Sequence, residues 1–123
     1  MISLLLALAV QSSTIGSCVE LKGPLEGEFR YVESRHPNGT NLRYGFVVTP
    51  EPVCVTDMFA EGFQAQISGR WVQVSWSDEQ IGDHPQPGDL VRVAVTDCFE
   101  PSTAWHLGDI ICTNAKLIYR EPM

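Results

Sequence analysis

The stretch from Pro87 to Ile118 commits this chain to a β architecture. Pro87-Gly88-Asp89 reads as a turn, and Leu90-Val91-Arg92-Val93-Ala94-Val95-Thr96 follows it with Val91, Val93 and Val95 on one face. After a loop from Asp97 to Gly108 comes a second apolar run, Asp109 to Ile118. Alternation with a period of two and enrichment in β-branched side chains predict a strand for each run, and a hairpin for the pair.

Upstream segments repeat the pattern. Val19 and Leu21 alternate with Glu20 and Lys22 until Gly23-Pro24 breaks the ladder in a bulge or bend. The strand resumes through Phe29 to Val32. Pro37-Asn38-Gly39-Thr40 predicts a turn, and Arg43 to Thr49 a strand with Tyr44, Phe46 and Val48 on one face. Pro50-Glu51-Pro52 is expected to kink the chain before the short Val53-Cys54-Val55 segment. Thr56 or Asp57 caps a brief helical turn over Met58 to Glu61, which Gly62 ends. Trp71 to Trp76 is a third strand with Val72, Val74 and Trp76 inward; Ser77 to Gly88 is a polar loop, and a short tail follows Ile118. About five strands with no long helix between them exclude a parallel α/β sheet. Closing them into a barrel removes exposed edges, so the expected fold is all-β: a small five- to six-stranded OB-fold-like barrel with little helix.

Residues 1–17 carry no charged side chain, and Ile2 to Val10 is an apolar run far short of the roughly 20 residues of a membrane span. This pattern predicts a secretory signal peptide over 1–17 and a single domain over 18–123, although no basic residue precedes the apolar run. Ile15-Gly16-Ser17-Cys18 loosely resembles a lipoprotein cleavage box, but a structural half-cystine at Cys18 is the favoured reading over a lipid anchor. No transmembrane segment is expected. Export to the periplasm or beyond agrees with an even number of cysteines in a small domain, which points to disulfides. Cys18, Cys54, Cys98 and Cys112 allow three connectivities. The hairpin favours Cys98–Cys112, and elimination then leaves Cys18–Cys54. The cysteine spacing matches no zinc ribbon or thioredoxin-type motif.

Fifteen acidic against eight basic side chains give a net charge of −7. A nucleic-acid binder needs a basic footprint to neutralise phosphates, so that class is excluded. A neutral ligand, a cationic partner or simple solubility fits this charge.

Four spaced features resemble a small bacterial domain family of unknown function, known as OB-fold-like barrels in exported proteins. They are Val19-x-Leu21-x-Gly23-x-Leu25; Tyr44 to Val48 followed by Pro52-Val53-Cys54-Val55; Gly88-Asp89-Leu90-Val91-Arg92-Val93; and Thr103-Ala104-Trp105-His106 ahead of Ile110-Ile111. Together they span most of 18–118. The family often carries neighbouring histidines where this chain has His106 alone. The resemblance implies an OB-like barrel and no established activity.

Candidate site residues are few. His106 with Trp105 heads them, because imidazole changes charge near neutral pH and serves as ligand or catalyst; the plainer role is a structural hydrogen bond. Tyr31, Tyr44 and Trp71 join it as aromatics near the second- and third-strand face where OB barrels take oligomeric ligands, unless they simply fill the core. Isolated His36, His84 and His106 lack metal-ligand spacing. Asp78, Glu79, Asp83 and Asp89 lack the alternating pattern of a calcium loop, so a solvated acidic face is expected. No catalytic residue, metal or cofactor is assigned. The expected function is a non-enzymatic binding or structural module for a protein or saccharide partner. The alternatives are a small hydrolase or metal-dependent enzyme using His106 with Asp97 or Glu100, and an inhibitor of a cationic secreted enzyme.

Overall fold

The structure, a computed structural model, describes residues 18–56, 66–77, 84–101 and 106–122. The expected signal peptide, the helical turn after Thr56, Trp105 and the acidic residues Asp78, Glu79 and Asp83 lie outside the described residues. The strands are β1 (Val19–Glu20), β2 (Leu25–Arg35), β3 (Asn41–Thr56), β4 (Gln66–Trp76), β5 (Leu90–Ala94), β6 (Asp97–Phe99) and β7 (Ile110–Glu121). Among the described residues no helix is long and apolar enough to cross a membrane.

Five of these strands close on themselves. β2 pairs with β3 and β5, β5 with β7, β7 with β4, and β4 with β3; every pair is antiparallel except β4 with β7. This order gives the five-stranded Greek-key barrel of the OB type expected from the strand pattern. β1 lies parallel to the end of β3, and β6 antiparallel to β7.

The barrel closes because each strand turns one set of alternate side chains inward. Leu25 and Phe29 of β2, Val47 of β3, Val72 and Val74 of β4, Val91 and Val93 of β5, and Ile110, Cys112 and Ala115 of β7 form one buried core. Trp76 packs against it at one end, its ring 6.1 Å from Phe29. Gly27 makes the closure geometrically possible. At Gly27 and Glu28 the strand changes partner, pairing with β5 up to Glu28 and with β3 from Glu28 onward. A Cβ on Gly27 would sit 2.3 Å from the Val48 carbonyl oxygen, so no larger residue fits without moving backbone.

Several boundaries differ from the sequence expectations. β3 runs through Pro50-Glu51-Pro52 instead of stopping there. Its register with β4 shifts between Val48 and Val53, which is a bulge, and a bulge accommodates prolines that cannot donate to the ladder. The expected strand at Val19 to Lys22 shrinks to the two residues of β1, and β2 begins already at Leu25, which is fully buried. Asp97 to Phe99, expected as loop, is β6, with Cys98 directly opposite Cys112. The expected tail is the end of β7, whose Tyr119, Arg120 and Glu121 pair with Arg92, Val91 and Leu90. β7 carries bulges at Asn114, which adopts φ 54°, and near Ile118. Asparagine tolerates that left-handed backbone better than most residues.

Both disulfides are present: Cys18 is bonded to Cys54 and Cys98 to Cys112. A lipid anchor on Cys18 and the Cys18–Cys54 bond are mutually exclusive, because both require the same sulfur.

Asp89 opens β5 and is buried. Its Oδ2 accepts from the Gln86 backbone N–H at 2.8 Å and lies 2.6 Å from Arg120 Nε, tying the turn before β5 to the end of β7. This carboxylate, one of the four weighed as calcium ligands, is engaged in holding the barrel seam. Removing Asp89 takes its carboxylate from the partly buried Arg120 guanidinium and its acceptor from the Gln86 N–H. Asp89→Ala is therefore expected to lower stability by roughly 2–4 kcal/mol in urea titration, and Asp89→Asn, which keeps an acceptor for Gln86, by less.

Candidate functional site

Strand parity decides what the barrel shows to solvent. With Phe29, Val47, Val72 and Val91 turned inward, their neighbours Glu28, Val48, Trp71 and Leu90 point outward. The ladders then align these four in one row: Trp71 opposite Val48, Val48 opposite Glu28, and Glu28 opposite Leu90. Leu90 is 52% exposed and Trp71 37%, high values for side chains of this size. Around this row the surface sinks into a hollow of about 460 Å³, lined by Gly27, Glu28, Arg30, Val48, Pro50, Arg70, Trp71 and Leu90. A second hollow of about 260 Å³ lies alongside, lined by Glu28, Arg30, Tyr31, Pro87 and Gly88. Glu28 and Arg30 border both, and the larger hollow forms a groove across the outside of β2, β3 and β4.

The groove has a fixed frame. Trp71 stands edge-on to Phe46, with ring centres 5.6 Å apart. Phe46 and Gln73 share the outward row next to Trp71, yet both are buried, because the segment ahead of β7 folds over them. Gln73 Oε1 accepts from the Leu107 N–H at 2.6 Å and the Gly108 N–H at 3.2 Å. Gly108 permits this approach: a Cβ there would meet the Trp71 carbonyl oxygen at 2.7 Å. Asp109 completes the lock, its Oδ2 accepting from the backbone N–H groups of Arg70 and Trp71 at 3.2 and 3.1 Å. At the rim, Arg70 Nε donates to the Thr49 carbonyl at 2.7 Å, and Arg30 pairs with Glu28 at 2.8 Å. Trp71 thus sits on a braced backbone beside two guanidinium groups and a carboxylate.

The residues singled out from sequence do not converge on one point. Trp71 lines the larger hollow, whereas Tyr31 borders the smaller one but shares the inward parity of Phe29 and packs against the core, with Phe29 edge-on to its ring and the Arg43 guanidinium 4.2 Å from its centre. Tyr44 is occupied elsewhere: its hydroxyl lies 2.6 Å from Nε2 of buried His36, which fastens the end of the β2–β3 hairpin. His106 packs on Phe99, ring centres 5.4 Å apart, beyond the groove. His84 lies against Trp76. Among the described residues no group of three or more His, Cys, Asp or Glu side chains could hold a metal ion.

Sequence reasoning missed Glu28, Arg30, Val48, Pro50, Arg70 and Leu90. Their signal was present in outline, since each strand's inward valines imply outward neighbours, but the pairing of those neighbours needs the ladder register. A further hollow of about 520 Å³ lies at the other end of the barrel, lined by residues including Leu21, Lys22, Pro24, Val55, Val95 and Cys98. Its walls are short aliphatic and polar side chains without an aromatic ring. The chain matches no family model, no curated protein and no solved structure, so its role must be read from the geometry above.

Proposed function

We propose that this chain is an exported, non-enzymatic binding module that takes an oligomeric ligand along the outer face of β2, β3 and β4. One observation carries the reading. A hollow lined by Trp71, Val48, Pro50, Glu28, Arg30 and Arg70 opens on the face that OB barrels use for extended ligands. An exposed tryptophan held by a rigid frame loses little conformational entropy on binding, which makes it an effective anchor. The two disulfides favour an oxidising compartment, so the periplasm or the cell exterior is the proposed setting. The hydrolase reading needs His106 beside Asp97 or Glu100 in a concave site. None of these three lines the groove or the hollow at the other end of the barrel.

The test compares Trp71→Ala with His106→Ala, each immobilised in oxidised form and exposed to an envelope extract. Retention of the captured material by His106→Ala and its loss by Trp71→Ala is the expected outcome. The opposite pattern would move the site to the loop ahead of β7 and revive the enzyme reading.

A further inference from the structure

Independently of the ligand groove, we infer that two copies of this chain pair through the free edge of β2, antiparallel, with Glu33 of each copy opposite Arg35 of the other. β5 covers that edge only in part. Its last ladder partner on β2 is Glu28. The chain just ahead of it adds two bonds of 2.8 Å, from the Phe29 N–H to the Asp89 carbonyl and from the Gly88 N–H to the Phe29 carbonyl. This cover ends at the turn of Pro87 and Gly88, where Gly88 has φ 94°. Backbone groups along a strand point alternately to its two sides, so those of Tyr31, Glu33 and Arg35 point the same way as those of Phe29, while the residues between them serve β3. Among the described residues no strand lies along that side of β2 beyond Phe29, which leaves a row of N–H and C=O groups open to another strand.

The occupant must be a strand with a free edge of its own, and the charges along β2 select a second copy. Glu33 and Arg35 are both exposed, stand two apart on the open edge and form no ion pair among the described residues. Arg43, directly opposite Glu33 on β3, lies over the Tyr31 ring instead. A two-fold axis between two such edges admits few registers, because only residues whose backbone groups face outward can exchange bonds. Centred on Glu33 or on Arg35, it sets like charges opposite each other. Centred on Tyr31 or Val32, it sets Glu33 or Arg35 against Phe29, whose groups are already bonded. Centred on Ser34, it sets Glu33 against Arg35 twice over, and opposite charges directly across a ladder are favourable.

The same register brings Pro37 of the second copy opposite Tyr31. Proline lacks the N–H that would continue a ladder, so pairing ends there. Tyr31 borders the hollow of about 260 Å³ that Glu28, Arg30, Pro87 and Gly88 also line. Pro37 and Asn38 are exposed at the hairpin tip, and the hollow leaves room for them. The contact is short and the net charge of −7 opposes it at long range, so the dimer is a weak one.

The experiment measures sedimentation equilibrium of the oxidised chain from about 5 to about 500 μM, with amide hydrogen exchange at both ends of that range. A concentration-dependent dimer is expected, in which exchange at Glu33 and Arg35 slows. Glu33→Arg and Arg35→Glu should each weaken it by about tenfold or more, because each sets like charges opposite each other twice. Mixed in equal amounts, the two variants should dimerise again, since each then meets the opposite charge. Both side chains are exposed, and circular dichroism checks that each variant is folded. A chain that is monomeric throughout, a dimer that neither substitution weakens, or a mixture that stays monomeric overturns the inference. Each of these results leaves the Trp71 groove, tested by ligand capture, where it stands.

Discussion

Reduction of both disulfides is expected to unfold this domain at 37 °C. Cross-links spanning 36 and 14 residues restrict the unfolded chain by roughly 4 and roughly 3 kcal/mol in the chain-entropy treatment. Their sum is comparable to the entire stability of an ordinary domain, about 5–15 kcal/mol. The two should not contribute as their spans suggest. Cys18 tethers β1, a two-residue edge strand with Val19 half exposed, and β1 can fray from β3 while the barrel stays closed. Fraying returns entropy to the folded state and offsets much of that cross-link's effect. Cys98 and Cys112 sit directly opposite each other and both belong to the buried core, so β6 cannot fray from β7 without opening core surface to water. The Cys98→Ala/Cys112→Ala double variant should therefore lose more stability than Cys18→Ala/Cys54→Ala, despite the shorter loop. Circular dichroism melts of the oxidised, reduced and two doubly substituted proteins check both statements. A reduced chain melting within a few degrees of the oxidised one contradicts the first, and a larger loss at Cys18/Cys54 contradicts the second.

Phe29→Ala is the single substitution expected to do most damage. The ring is fully buried at the centre of the barrel, with Tyr31 edge-on at 5.0 Å and Trp76 at 6.1 Å. It also fills the space beside Gly45, where an added Cβ would lie 2.9 Å from the ring tip. Truncation loses the transfer free energy of the ring and leaves a cavity. The surrounding strands cannot collapse into it, because Gly27 already holds β2 against the Val48 carbonyl. The expected cost is roughly 3–5 kcal/mol, which for a domain of this size lowers Tm by roughly 15–25 °C. Phe29→Leu should recover more than half of that loss. If Phe29→Ala cost under 1 kcal/mol by chemical denaturation, the ring would not be the centre of the core.

The barrel was legible in the sequence wherever period-two alternation ran long enough to assign faces. Val72, Val74 and Trp76, and Val91, Val93 and Val95, all point to or pack against the core as their spacing implies. Legibility failed where pairing is imposed by tertiary partners. Asp97 to Phe99 is too short to show a period and becomes a strand beside Cys112. Tyr119 to Glu121 reads as polar tail, yet Arg120 joins Asp89 and carries the strand onward. Pro50 and Pro52 read as a stop, but a bulge absorbs them.

The groove was less legible for the same reason. Glu28, Val48, Trp71 and Leu90 are scattered along the chain and meet through the register of three ladders. Aromatic content drew attention to Trp71, which lines this groove, and to Tyr31, which packs against the core. It also drew attention to Tyr44, whose hydroxyl is paired with His36, and to His106, which packs on Phe99 beyond the groove.

The central claim is that the working surface of this barrel is the Trp71–Glu28 groove on its outside. Amide shift mapping of the oxidised protein with its captured ligand tests that most directly. Perturbations concentrated on Glu28, Arg30, Val48, Arg70, Trp71 and Leu90 are the predicted result. Perturbations concentrated on Phe99, His106 and Leu107, with the groove silent, would contradict it.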